Sequence, residues 1–504
     1  MLARTFTAAI SGLKPTQIEV EVDSNRGIPN LIIIGLPSRA IEESKERITA
    51  ALINCGIKIR SRRTIVNLAP ADIRKSSPSF ELAIVIGMLK MYGEIKVDTD
   101  STMFFGELSL DGDLKPIKGA LPLVIAAKKM GFKKVVLPIA NIEEIATITG
   151  IEIHPLRHLN QYLDFSQTKQ PLPILAPRKF KIKKTHSSDL DFKNIFDQDY
   201  AKRAIEIAAA GSHNLLLVGP PGAGKSMLAK ASLSILPPLS EAEAMEVTAI
   251  YSVYSQKLAG LITKRPFRHP HHTTSYVGLL GGGQQLRPGE ISLAHRGILF
   301  LDEFTEFDRH TLESLRQPLE DRRITLVRAH GVITYPAAFT LIAAANPCPC
   351  GWHGSSVRAC RCSKFALEQY QRKFSGPLLD RIDLFVRVRA VDIKLLANSQ
   401  REQLSSAEMR GRVKAAREFQ SPFLKKLNCL SNSELSTNNI KQEVRLSFQS
   451  KNLLNMAINK FNLTARGYFR LVRVAQTIAH LEQKNKIQKK HLAEALQYRQ
   501  NNLF

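Results

Sequence analysis

The chain has 504 residues, 44% of them hydrophobic, which predicts about three domains with sizeable cores. It has no run of about 18 apolar residues and no long apolar segment near its N-terminus, which excludes a membrane-spanning helix and a secretory signal and leads us to expect a cytoplasmic protein. With 71 Lys plus Arg against 45 Asp plus Glu, the net charge of +26 favours polyanionic partners, nucleic acids first, with plain solubility as the alternative.

Residues 1–165 read as one α/β unit. Leu31–Ile34 and Thr64–Leu68 are strand-like, and Ile41–Cys55 carries helical spacing that Gly56 ends. Ala120–Met130 predicts a second helix, followed by a strand over Lys134–Pro138. Residues 166–190 hold three prolines and the basic run PRKFKIKKTHSS, which predicts a linker, either a tether over nucleic acid or simply solvated. Residues 191–392 carry the motifs described next. Residues 393–504 read mostly as helices, with clear periodicity over Arg466–Gln483 and Lys489–Asn501.

The apolar run Leu215–Val218 enters Gly219, Pro220, Pro221, Gly222, Ala223, Gly224, Lys225 and Ser226, and a helical stretch follows. This is the strand–loop–helix setting of a phosphate-binding loop. Its glycines let backbone N–H groups curl around phosphate, and the helix presents its positive end to the same anion. Lys225 is expected at the β/γ-phosphates of ATP and Ser226 at Mg²⁺.

Ile298–Leu301 predicts a buried strand tipped by Asp302, a Mg²⁺ ligand, and Glu303, which would polarise the attacking water. Thr340–Ala345 predicts another strand, ending at Asn346. That residue either positions water or senses the γ-phosphate, or it simply makes a turn before Pro347. Arg381, in GPLLDRIDLFV, is either an arginine finger acting on a neighbouring subunit or a local ion-pair partner of Asp383.

The segments FRHPHHTTSYVGLLGGG, RPGEISLAHRGILFLDEFTEF and LRQPLEDRRITLVRAHGVITYPAAFTLIAAANPCPCG resemble the magnesium-chelatase-type AAA+ proteins, and more narrowly the competence-associated ComM/YifB branch. The resemblance spans nearly the whole chain. It implies an α/β fold with a Lon-protease-like N-terminal domain, an AAA+ core with a parallel sheet, and a C-terminal helical lid. It also implies a cytoplasmic homo-hexamer that hydrolyses ATP and drives branch migration of recombination intermediates on single-stranded and branched DNA, alongside recombination proteins. The rivals are a metal-insertion motor of the chelatase type and a non-catalytic assembly ATPase.

Within the Lon-like stretches, Ser79 falls where Lon has its nucleophile, and the catalytic Lys would align near Leu121, which has no amine; no protease activity is expected. The resemblance also implies a hairpin of Ile324–Val327 and Val332–Tyr335 carrying Arg328 and His330 at its tip, and a second insert around Gly281–Glu290 carrying Arg287. These three residues would contact the DNA backbone, unless both elements serve packing. Arg466 matches the family's sensor arginine, with Arg470 as second choice and a surface arginine as the alternative. Asp197–Gln198 stands where relatives often have Gly–Gln, which leaves the adenine contacts open.

Cys348, Cys350, Cys360 and Cys362 cluster in one short segment, and four thiolates suit tetrahedral Zn²⁺, with unbound thiols as the alternative. His353, Arg358, Arg361 and Lys364 surround them and would let the cluster touch DNA. His269, His271 and His272 lie in a proline-bent segment that does not offer helical ligand spacing.

Overall fold

The computed structural model describes residues 2–499 except 36–38, 60–62, 72–77, 169, 183–189, 256–257, 284–285, 329–330, 356, 375, 391–402 and 462. The chain forms two compact units that are not contiguous in sequence. The first comprises Met1–Ile182, Ser240–Thr263 and Val327–Tyr335; the second comprises Lys183–Leu239, Lys264–Leu326 and Pro336–Phe504.

The first unit is built on a seven-stranded mixed sheet. Its edge pairs Asn30–Ile34 with Arg63–Ala69 in parallel. Arg63–Ala69, Lys14–Asn25 and Ala3–Ser11 then run antiparallel, and the short strand Thr102–Phe104 with Lys134–Pro138 and Glu152–Leu156 completes it in parallel. Arg63–Ala69 alternates buried and open positions, as a strand with one wet face must. Helix Glu81–Tyr92 is apolar nearly all round and accordingly buried against the long antiparallel strands.

Two segments from later in the chain complete this unit. Helix Glu241–Tyr254 packs on helix Ala120–Lys129, and the Gly119 N–H donates to the Ser252 carbonyl at 2.9 Å. The half-hairpin Val327–Tyr335 buries Ile333 and Tyr335. The proline-rich stretch after residue 170 is docked rather than solvated at its start. Leu172 is buried, the Leu175 N–H donates to the Ile153 carbonyl, and the Arg178 N–H donates to the Ala146 carbonyl. The basic residues 183–189 lie outside the described chain.

The second unit holds a five-stranded, all-parallel sheet. Its order is Phe267–Arg268, Ile298–Leu301, Thr340–Ala345, Leu215–Val218, Leu384–Arg387. The strands Leu215–Val218 and Ile298–Leu301 are buried at every position, which explains their unbroken apolar sequences. Helices Asp199–Gly211 and Lys225–Ile235 bury apolar faces in the same core. Helices Ser406–Lys426, Phe448–Phe461, Ala465–Leu481 and Lys489–Gln497 follow, and the first starts in a capping box of Ser405 and Glu408. No helix among the described residues is long and apolar enough to cross a membrane.

Candidate nucleotide site

In an open parallel sheet, ligands bind beyond the C-terminal ends of the strands. Strand order puts Thr340–Ala345 between the strands that lead to the phosphate loop and to Asp302. Asn346 is therefore delivered between Lys225 and Asp302 by topology, although the three lie far apart in sequence. A cleft of about 390 Å³ is lined by Pro221–Met227, Asp302, Glu303, Ala344, Ala345 and Asn346.

Gly222 and Gly224 adopt positive φ of 75° and 84°, a conformation that glycine takes without a steric penalty. That conformation turns the loop into helix Lys225–Ile235. Lys225 is 9% exposed. Its Nζ donates to the carbonyls of Gly219 at 2.6 Å and Pro220 at 2.9 Å and to Asn346 Oδ1 at 3.1 Å. Burial pulls the Lys225 ammonium down to about 8, against the opposing charge of Asp302. Ser226 Oγ donates to Asp302 Oδ2 at 2.6 Å, so the two oxygens expected to share a metal ion already face each other.

Glu303 adopts φ +49°, a left-handed conformation uncommon for a residue with a Cβ, directly after the Ile298–Leu301 strand and Asp302. Its Oε2 lies 3.1 Å from His272 Nδ1. This gives His272 a partner that its sequence neighbourhood did not suggest. The other histidines of this segment lie against rings: His269 is tilted against Phe300 with centroids 4.8 Å apart, and His271 is tilted against His272 at 4.1 Å. Tyr370 is a second residue that sequence reasoning missed. Its hydroxyl donates to the Asn346 carbonyl at 3.0 Å and lies 2.8 Å from Thr305 Oγ1.

Arg381 is 14% exposed on its side chain, and it does not pair with Asp383. Its guanidinium pairs with Glu320 and donates to the Pro377 carbonyl at 2.6 Å. Asp383 is taken by other groups: His213 Nδ1 at 3.3 Å and the Asn214 N–H at 3.1 Å. Arg466 is exposed in the first turn of helix Ala465–Leu481 and does not line the cleft. Arg470 is committed elsewhere, donating to the carbonyls of Leu379 and Ile382. Gln198 Nε2 donates to the Arg389 carbonyl at 2.9 Å.

Arg287 is exposed on a short antiparallel pair, with Gly282 opposite it. The expected hairpin exists as Arg323–Arg328 with Gly331–Pro336, but His330 and the Arg328 side chain lie outside the described residues. One face of the hairpin serves packing, since Ile324, Ile333 and Tyr335 are buried while Val327 and Val332 are exposed. Ser79 is buried, and Leu121 sits in an apolar cluster with Ala8, Met103 and Val124.

The four clustered cysteines converge, with sulfur atoms all within 4.8 Å of one another. Backbone N–H groups of Arg361 and Trp352 draw the Cys350 thiol down to about 6. Arg358, Arg361 and Lys364 are exposed beside them, and the Arg358 guanidinium lies 5.8 Å from the centroid of the Trp352 ring.

Three family models match the chain. One described as magnesium chelatase, subunit ChlI, covers residues 191–396; one described as subunit ChlI of Mg-chelatase covers 20–141; the ChlI C-terminal model covers 403–499. Competence protein ComM of Haemophilus influenzae is 36% identical over 502 residues, spanning 99% of this chain and 97% of its own. YifB of Escherichia coli is 37% identical over 500 residues, with the same coverage. Lon protease 2 of Bacillus subtilis is 33% identical over 145 residues, 27% of this chain and 26% of Lon.

Proposed function

The chain belongs to the ComM/YifB branch of the magnesium-chelatase-like AAA+ ATPases, and from that membership we propose that it is a hexameric DNA motor driving branch migration of recombination intermediates. The family is one of ATP hydrolases. The observation that carries the reading is the meeting of Lys225, Ser226, Asp302, Glu303 and Asn346 at one edge of the parallel sheet. The net charge of +26 and the exposed Arg287 support a nucleic-acid track, and the name of the Haemophilus relative supports a role in competence.

Lys225 exchanges its loop carbonyls for the β/γ-phosphates. The backbone of Gly219–Ser226 cradles the rest of the triphosphate. Ser226 and Asp302 would hold Mg²⁺, which when bound offsets the negative charge of the phosphates. Glu303 orients and polarises the attacking water, and Asn346 keeps Lys225 aimed at the phosphates. Arg381, released from Glu320, acts on the site of a neighbouring subunit, and Arg466 reads the nucleotide from the lid. Arg287, Arg328 and His330 hold the DNA backbone without reading bases. Cys348, Cys350, Cys360 and Cys362 would hold Zn²⁺ as a structural ion. The first unit does not cleave peptides, because Leu121 leaves Ser79 without a base.

The test is the steady-state ATPase rate without DNA and with single-stranded, duplex and four-way DNA, with Lys225→Ala as control. Stimulation that falls steeply with salt and is absent from the variant is expected. Turnover indifferent to every DNA form would overturn the motor and move porphyrin metallation and scaffold roles to the front.

A further inference from the structure

The cysteine loop is built into the nucleotide site at both of its ends. Cys348 follows Asn346 by two residues, so the first thiol pair continues directly from the sensor residue. Gly351, between the two thiol pairs, lies flat on the phosphate loop: a Cβ there would come within 2.6 Å of Pro221 Cδ and 3.9 Å of Asn346 Cγ. Beyond Cys362, helix Lys364–Gln371 brings Tyr370 back to the Asn346 carbonyl and to Thr305, just past Glu303. Arg387, at the end of the strand beside the phosphate-loop strand, donates to the Gly354 carbonyl at 2.8 Å. Asn346 is thus held from both arms of one loop, and the four cysteines bring those two arms together.

Their geometry fits a tetrahedral thiolate site. A metal–sulfur distance of about 2.3 Å sets tetrahedral sulfur–sulfur separations near 3.8 Å. The separations are 3.4 Å for Cys348–Cys350, 3.8 Å for Cys348–Cys360 and 3.6 Å for Cys350–Cys360. None is a disulfide, which requires about 2.05 Å. The His353 N–H donates to Cys348 Sγ at 3.3 Å, the kind of outer contact that orients a thiolate ligand.

We propose that these four thiolates bind one zinc ion whose role is to position the nucleotide site: with the loop closed, Asn346, Lys225 and Pro221 hold their catalytic places, and without the ion ATP turnover fails. This rests on the nucleotide-site reading above but not on DNA as the track. The metal is a strut and takes no part in the chemistry. Cys360 and Cys362 lie on the far arm of the loop, so they bear on the nucleotide site by closing the loop and by placing the helix that carries Tyr370. Trp352, the single tryptophan of the chain, sits inside the loop and reports its state.

The experiment uses the full chain without DNA. Elemental analysis counts zinc in the wild type and in Cys360→Ser and Cys362→Ser. ATP turnover, binding of a fluorescent ATP analogue and Trp352 emission are followed, and the wild type is also stripped with a chelator and refilled with zinc. One zinc per chain is expected, lost in both variants, with turnover down about ten- to a hundredfold and both turnover and Trp352 emission restored by refilling. Absence of thiol-bound metal overturns the site. Stoichiometric zinc whose removal leaves turnover and Trp352 emission unchanged overturns the coupling, and so does a loss that zinc does not restore. If Lys225→Ala hydrolyses ATP as well as the wild type, the nucleotide-site reading itself fails instead.

Discussion

At the scale of single residues, burial decides the chemistry. Lys225 points inward, and its ammonium is held at about 8 because water is excluded around it. The folded value lies below the unfolded one of about 10.4, so the unfolded chain binds more protons between them. The penalty for burying the charge is complete below about pH 8 and is relieved as pH rises toward the unfolded value. In its proposed place at the phosphates Lys225 must be charged, so the dissociation constant of ATP is expected to be level below about pH 8 and to rise about tenfold per unit above it. Titration with a fluorescent ATP analogue checks this, and a level profile up to about pH 9.5 would contradict it. The contacts His272–Glu303, Tyr370–Asn346 and Arg381–Glu320 belong to this scale too, and none was legible in the sequence. Each joins residues from separate elements, and no local spacing signals which charges the fold will bring together.

At the scale of elements, the strands that feed the site were legible. Leu215–Val218, Ile298–Leu301 and Thr340–Ala345 are short, largely apolar runs, and strands buried on both faces leave that signature. The hairpin Arg323–Pro336 was legible as a hairpin, but its packing face was not. In the first unit Ile333 presses on Gly12, whose φ is +64° and where a Cβ would lie 2.3 Å from Ile333 Cγ2. Gly12→Ala is expected to loosen this contact at a cost of about 1–3 kcal/mol. Gly56→Ala, at φ +79° with open space around it, should cost only the backbone strain. Hydrogen exchange in the full chain separates them: faster exchange over 3–11 and 331–336 for the first variant alone is expected, and equal protection would count against the contact.

At the scale of the whole molecule, the proposed ring makes a sharp prediction. If Arg381 acts in trans, Lys225→Ala and Arg381→Ala are each inactive alone yet complement when mixed. A mixed ring then contains sites with Lys225 from one subunit and Arg381 from the next. Turnover that recovers to a substantial fraction of the wild-type rate on mixing is expected. No recovery across all ratios would place Arg381 in its own subunit's site, or in the Glu320 ion pair permanently. In the proposed ring the pair with Glu320 would have to open, because an arginine tied to its own chain cannot reach a neighbour.

The sequence by itself determined the chemistry on offer: a phosphate loop, two carboxylates at a strand tip, an asparagine at another, four thiols and a large positive charge. Each is a local pattern, because each depends on residues adjacent in the chain or on bulk composition. Only the tertiary structure decided which of them meet. The order of five parallel strands put Asn346 between Lys225 and Asp302, and a glycine without a side chain let the cysteine loop lie on Pro221. It also grouped Ser240–Thr263 and Val327–Tyr335, which sit inside the ATPase segment of the sequence, with the N-terminal unit. Strand order and helix packing are settled by long-range burial of apolar faces. That burial depends on the whole set of elements at once, so it leaves no mark at any one position.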